Sequence, residues 1–104
     1  MATPRRKPAR KRAPALSAME QTYKERKSAH GAFPEMARVT QALKRVLVDT
    51  PNWNTLPDDM KETLEMNAHK TARILCGDPD HVDHWHDLVG YSGLVEKRLK
   101  GVKI

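Results

Sequence analysis

Carboxylates and histidines recur at helical spacing in two neighbouring segments of the chain. The first set, spaced i, i+3 and i+7, consists of Glu62, Glu65 and His69. The second set has the same spacing in its acids and consists of Asp80, Asp83 and Asp87, with His84 beside them. Residues at these spacings project from one side of a helix. Two helices packed antiparallel around a tight turn would bring the sets together, with His69 and Arg73 closest to Asp83 and Asp87.

Such a convergence favours a metal site. Several carboxylates suit Mg²⁺ or Mn²⁺, which prefer oxygen ligands, whereas a mixed set of imidazoles and carboxylates suits zinc or iron. A bound metal would polarise a phosphate and lower the pKa of its water. Mg²⁺ is the candidate cofactor. The candidate metal ligands are Glu62, Glu65, His69, Asp83, His84 and Asp87.

Ordinary structural explanations fit the same residues. Asp80 and Asp83 fall where a second helix would begin, and acids there stabilise the helix dipole. Glu62, Glu65 and His69 can equally form an exposed face. For Asp87, which falls mid-helix, we predict a structural ion pair with Lys70 or Arg73 across the two helices. The sequence contains no Gly-rich phosphate loop and no Cys-x-x-Cys pair, so it assigns no catalytic residue and leaves enzymatic activity undecided.

A helical hairpin from Leu56 to Gly101 is the element that would position these residues. Pro57 and two following acids are typical of a helix start, and Gly77 with Pro79 predicts a turn, with Gly77 in the left-handed conformation. Apolar stripes are predicted to face the core. On the first helix the stripe is Met60, Leu64, Ala68, Thr71 and Leu75, and on the second it is Val82, Trp85, Val89, Ser92, Val95 and Leu99. Gly90 and Gly93 each cost helix stability, which favours close packing of another helix there.

The remaining chain predicts an all-α fold with one or two further helices. Ser17 and Glu20 have the spacing of a capping box, so a short, loosely packed helix is expected from Ala18 to about Ala29 within a segment covering residues 17–33. The main helical domain then spans residues 34–104. It begins with a helix from Pro34 to about Val48, whose core face is Met36, Val39, Leu43, Val46 and Leu47. Trp53 follows in a turn and should fold back as a lid on the hairpin.

Residues 1–16 read as a disordered basic arm. Three prolines interrupt any helix there, and the six basic residues of positions 1–14 are unaccompanied by acids; they are Arg5, Arg6, Lys7, Arg10, Lys11 and Arg12. Because these account for six of 19 Lys and Arg, the other 13 balance the 13 Asp and Glu, and the net charge of +6 belongs to the arm. Such an arm can bind nucleic acid by neutralising phosphates, serve as a nuclear address or simply aid solubility.

The composition predicts a soluble protein of the cytoplasm. A single cysteine excludes an internal disulfide, and the sequence has no apolar run near the roughly 20 residues that span a bilayer. We therefore expect no membrane partner. A chain of 104 residues with 5% aromatic content can build only a small aliphatic core, which favours stabilisation by a homodimer or by another protein.

Two segments carry a resemblance to known families. The first runs from Leu64 to Asp80 and includes Ala72-Arg73-Ile74 and Gly77-Asp78; the second, from Asp83 to Tyr91, includes Trp85, Asp87 and Gly90-Tyr91. Together they resemble a family of small helical proteins, of unestablished function, encoded by tailed bacteriophages and prophages. The resemblance covers roughly residues 36–100 and leaves out the arm. It implies a location in the cytoplasm of a bacterial host cell or in association with a virion.

The hairpin is also distantly similar to the all-α nucleoside triphosphate pyrophosphatases of the MazG and dUTPase type. Those enzymes hold Mg²⁺ with a Glu-x-x-Glu pair on one helix and a Glu-x-x-Asp pair on the next. Glu62 and Glu65 match the first pair, whereas His84 and Asp87 would form the second, with His in place of Glu. This departure removes a metal ligand.

These observations predict a phage-type accessory binding protein. Its arm would contact DNA or RNA, and its helical body would dimerise or dock on a host or phage protein. One alternative is a reduced Mg²⁺-dependent nucleoside triphosphate pyrophosphatase using Glu62, Glu65 and Asp87, with Asp83 or His84 assisting. Another is a virion or assembly component whose arm touches packaged DNA.

Overall fold

The computed structural model describes residues 17–103, and within that range the protein is all-α. Its elements are α1 (Ala18–His30), α2 (Phe33–Val48), a short 3-10 helix (Trp53–Thr55), α3 (Asp58–Cys76) and α4 (Val82–Leu99). The predicted fold class and the two-helix hairpin are thus confirmed. None of the helices described is long and apolar enough to cross a membrane. The predicted basic arm of residues 1–16 lies outside the described residues.

α3 and α4 form the predicted antiparallel hairpin, held by polar pairs along its length. Near the open end, Arg98 makes a bidentate ion pair with Asp59, in which Nη2 and Oδ1 are 2.9 Å apart. Nearer the turn, the Lys70 ammonium lies 2.6 Å from the Asp87 carboxylate. This is the ion pair that the sequence predicts, and it gives the largely buried Lys70 a counter-charge.

α1 and α2 pack against α3 from the other side. The capping box at the start of α1 is confirmed, because the Ser17 hydroxyl accepts a hydrogen bond from the Glu20 N–H and the Glu20 carboxylate accepts one from the Ser17 N–H. α1 has no buried residue, in keeping with the expected loose packing. On α2, Met36 and Thr40 are buried, whereas Val46, predicted for the core, is exposed.

The end of α1 is fixed to the end of α3 by a close crossing of two backbones. A Cβ added to Gly31 would overlap the Cys76 carbonyl, and one added to Gly77 would overlap the Ala29 carbonyl. The Ala29 carbonyl also accepts a hydrogen bond from the Asp78 N–H at 3.0 Å. The predicted left-handed conformation of Gly77 is wrong, since its φ and ψ are −121° and −134°. Glycine is needed there for space and not for its dihedral freedom.

The apolar core is small and lies where α2 and α3 meet. Met36, Trp53, Ala68 and Ala72 are its buried apolar residues within the described range. The burial of Trp53 is as predicted, and the Lys61 ammonium of α3 lies 5.8 Å from the centre of its ring. Leu64 and Leu75, which the predicted stripe on α3 placed in the core, are exposed.

α4 presents most of its predicted core stripe to solvent, although Ser92 accepts a hydrogen bond from Asn67 of α3 and Val95 is half-buried. Val82, Trp85, Val89 and Leu99 are all exposed, and the residue buried against the rest of the fold is His84. The predicted orientation is therefore wrong at the start of α4, where the polar His84 takes the packed position. The expected close packing at Gly90 and Gly93 is also absent within residues 17–103, where the space beside both is open.

Candidate anion-binding pocket and histidine cluster

A pocket of about 620 Å³ opens between the second half of α1, the start of α2 and the second half of α3. We call it the cationic pocket. Its basic and imidazole lining residues are Arg26, Lys27, His30, His69 and Arg73, and they are joined by Tyr23 and Phe33, whose rings are largely exposed. None of the lining residues is acidic, so the pocket concentrates positive charge in a chain region that is otherwise balanced.

Burial and positive charge in the cationic pocket lower the pKa values of three of its groups. Burial lowers the pKa of His30 to about 4, with the Arg73 charge the next contribution. Burial, followed by the same Arg73 charge, also lowers the pKa of His69. The pKa of Arg73 itself is lowered by burial and then by the charge of Arg26. Both histidines are therefore neutral at pH 7, and an anion entering the pocket would relieve the repulsion between the two arginines.

Arg73 also carries an unused hydrogen-bond donor. Its Nε is buried, and no partner for it exists among residues 17–103. A buried donor without a partner costs about 1–3 kcal/mol, so a phosphate oxygen or a water that reached this atom would be stabilised. Guanidinium groups suit phosphate particularly well, since they present several N–H donors in a fixed fork.

Two of the three predicted ligands on α3 have neighbours on α1 and α2. Glu62 is exposed, and the Glu65 carboxylate lies 3.8 Å from the Lys44 ammonium on α2. His69 lines the cationic pocket, on the side of α3 that faces α1 and α2. His69, Asp83 and Asp87 do not form a group of metal-ligating atoms within residues 17–103, whereas Arg73 lies near enough to contribute to the lowered pKa of Asp87.

The predicted ligands on α4 are equally dispersed. Asp87 is paired with Lys70, which is the main cause of its lowered pKa, and the Asp83 side chain is largely exposed. Asp80 precedes α4, and its N–H donates to the Asp78 carboxylate at 2.9 Å. The six residues predicted to share a metal, Glu62, Glu65, His69, Asp83, His84 and Asp87, are thus not brought to one point.

The structure instead assembles a different group, which we call the histidine cluster: His30, His81 and His84. One ring nitrogen from each lies within 4.8 Å of the others, and this is the only group of metal-ligating side chains so arranged in residues 17–103. The ring centre of His84 lies 5.0 Å from that of His30 and 4.7 Å from that of His81. His84 Nε2 is 2.9 Å from the Ala29 carbonyl oxygen. Because a carbonyl only accepts, Nε2 carries a proton, and Nδ1 is the ring nitrogen left to bind a metal.

Of the three histidines in the cluster, His84 was predicted from the sequence as a metal ligand, and His30 and His81 were not. His81 and His84 are three residues apart at the start of α4, a spacing that places both on one side and was available as a signal. His30 lies more than fifty positions earlier. Only the crossing at Gly31 and Gly77 brings it to the same place, and no local pattern reveals that contact.

Comparison of the chain with protein-family models, with curated proteins and with solved structures found no match. The geometry of the pocket and of the cluster is therefore the main guide to function. The six basic residues predicted to bind nucleic acid, Arg5, Arg6, Lys7, Arg10, Lys11 and Arg12, lie outside the described residues.

Proposed function

We propose that this protein binds nucleic acid as an accessory protein of the phage type that its sequence resembles. In this proposal the arm and the cationic pocket contact phosphates, while the helical body forms a homodimer. The observation that carries the proposal is the pocket lining, in which Arg26, Lys27 and Arg73 converge without any carboxylate.

The pocket has the two components that single-stranded nucleic acids require. Cationic groups follow the backbone, and aromatic side chains stack on bases without strong sequence preference. Arg26, Lys27 and Arg73 supply the first component, and the exposed rings of Tyr23 and Phe33 supply the second. The pocket is thus suited to a nucleotide unit whose base stacks while its phosphate meets Arg73.

In the sequence, the basic arm directly precedes the segment that contributes α1 residues to the pocket. Residues 1–14 hold six basic residues, and α1, which follows, begins at Ala18 and contributes Tyr23, Arg26 and Lys27 to the pocket. Arm and pocket would therefore act on neighbouring phosphates. Contacts of this kind release counterions, so affinity falls steeply with salt.

The apolar side of α4 supports a homodimer. Val82, Trp85 and Val89 are exposed on one side of that helix, and the space beside Gly90 and Gly93 is open enough for a second backbone to approach. A second copy supplies the same surface, and such self-complementary contacts are the commonest in oligomers. Pairing would also enlarge a core that has few buried apolar residues.

The experiment is fluorescence anisotropy with labelled single- and double-stranded DNA and with RNA. Deleting residues 1–14 should abolish nearly all binding, and Arg26→Gln with Lys27→Gln should weaken it about tenfold or more. The matched control, Lys97→Gln with Lys100→Gln, removes the same charge from the far end of α4 and should change affinity little. If the truncated chain binds as well as the intact one, the proposal fails.

The Mg²⁺ ligands that the pyrophosphatase alternative requires have separate surroundings in the structure. Glu65 pairs with Lys44, Asp87 pairs with Lys70, and Glu62 is exposed. Its direct test is pyrophosphate release from common nucleoside triphosphates with Mg²⁺. Turnover that Glu65→Ala abolishes would establish it over the binding function.

A further inference from the structure

We infer that His30, His81 and His84 form a binding site for one Zn²⁺ ion that joins the end of α1 to the start of α4. The proposal is independent of nucleic-acid binding. It rests on three imidazoles from two distant parts of the chain, each offering one ring nitrogen within 4.8 Å of the others.

The ligand set suits a borderline transition metal. Imidazole nitrogens favour Zn²⁺ over Mg²⁺ or Ca²⁺, and three histidines with a free fourth position form an established type of zinc site. Zn–N bonds are about 2.0–2.1 Å, which places tetrahedral ligand nitrogens about 3.4 Å apart. The ligand atoms, which lie within 4.8 Å of one another, therefore need to approach by at most about 1.4 Å, through rotation of the half-exposed His30 and His81 rings.

His84 is already oriented as a metal ligand would be. It is 1% exposed, and its Nε2–H donates to the Ala29 carbonyl at 2.9 Å. Metal-bound histidines commonly donate their second N–H to a carbonyl or carboxylate, which fixes the ring and its tautomer. The Asp83 carboxylate lies 3.8 Å from His81 Nε2, so a small rotation would let it orient His81 in the same way.

The backbone around the cluster makes the site largely preformed. Gly31 directly follows His30, and its close approach to Cys76 fixes the end of α1 beside the turn that leads to His81. The carbonyl that holds His84 belongs to Ala29, one residue before His30. A metal at this point would add a further connection between α1 and the hairpin.

The test is calorimetric titration of the metal-free full-length protein with Zn²⁺, alongside Co²⁺ absorption as a report of tetrahedral geometry. We expect one ion per chain and a rise in Tm on Zn²⁺ addition, since a ligand that binds only the folded state stabilises it. His81→Gln, at a partly exposed position, should keep the fold by circular dichroism and weaken binding roughly a hundredfold.

The matched control is His86→Gln, which changes an exposed histidine of α4 outside the cluster. It should bind Zn²⁺ as the unchanged protein does. Absence of Zn²⁺ binding would overturn the proposal, as would binding that His81→Gln leaves intact or that His86→Gln removes. The three imidazoles would then serve only to pack α1 against the hairpin.

Discussion

Gly31 and Gly77 are the residues on which the arrangement of the sites depends. They let the carbonyls of Cys76 and Ala29 approach so closely that no side chain fits between the two backbones. Gly31 in addition has φ of +89°, where other residues are strained. The crossing brings His30 to His84 and places one wall of the cationic pocket. Both candidate sites therefore depend on two positions that carry no chemistry of their own.

Substituting either glycine by alanine should destabilise the fold by at least about 1–3 kcal/mol, the usual cost of overpacking. Gly31→Ala should cost more than Gly77→Ala, because it adds backbone strain. In the monomer, Gly93→Ala is the matched control: the residue lies inside α4 with open space around it, and the substitution should stabilise the helix by roughly 0.5–1 kcal/mol. Urea unfolding of the three variants measures this. Equal stability of Gly77→Ala and the unchanged protein would refute the crossing.

The partly buried position of His30 predicts a dependence of stability on pH in the metal-free protein. The pKa of His30 is about 4 in the fold, against an ordinary value of 6.5, so the unfolded chain binds the proton more readily. The contribution of neutral His30 is complete above pH 6.5 and is lost as the pH falls towards 4. Tm measured with a chelator should decline over that window, and His30→Gln should decline less. A parallel decline of both proteins would contradict this.

At the scale of helices and turns, short-range sequence patterns correctly predicted the features that depend on residues close together in the chain. The capping box at Ser17, the hairpin turn and the burial of Trp53 follow from residue types at short spacing. The pairing of Lys70 with Asp87 followed from the antiparallel register. The orientation of α4 did not, because apolar periodicity at Val82, Trp85 and Val89 shows which face is apolar and not whether this chain covers it.

The histidine cluster could not be predicted from local sequence patterns. Assigning His84 to a set with Glu65 and Asp87 assumed that the polar sides of α3 and α4 face each other. In the fold, Glu65 faces α2 and Asp87 neutralises Lys70, while His84 turns towards Ala29. Which helix covers which face depends on contacts between distant segments.

The exposed apolar side of α4 predicts concentration-dependent dimerisation. Val89→Glu should produce a monomer, because it would bury a charge at the contact. Val46→Glu is the control, since Val46 on α2 is about as exposed, at 66% against 71% for Val89, but lies outside the proposed contact. Analytical ultracentrifugation over a range of concentrations distinguishes them. A monomeric unchanged protein, or a dimer that survives Val89→Glu, would rule out this interface.

For the whole molecule, the distribution of charge indicates different roles in binding for the arm and for the cationic pocket. The net charge of +6 equals the charge of the six basic residues in positions 1–14, so the long-range attraction to a polyanion would come from the arm. The cationic pocket is a local exception in the balanced remainder, and it adds defined donors and aromatic rings. The arm would therefore set the rate and strength of encounter, and the pocket would position a nucleotide.

The most direct test of this account is the slope of log affinity against log salt concentration for a single-stranded oligonucleotide. Each neutralised phosphate adds about 0.7 to the magnitude of that slope. We predict a steep slope for the intact chain and a loss of most of that slope without residues 1–14. For the full-length chain with Arg26→Gln and Lys27→Gln, the slope should decrease by the equivalent of about one phosphate contact. An affinity that does not change with salt, or identical slopes for all three proteins, would contradict the account.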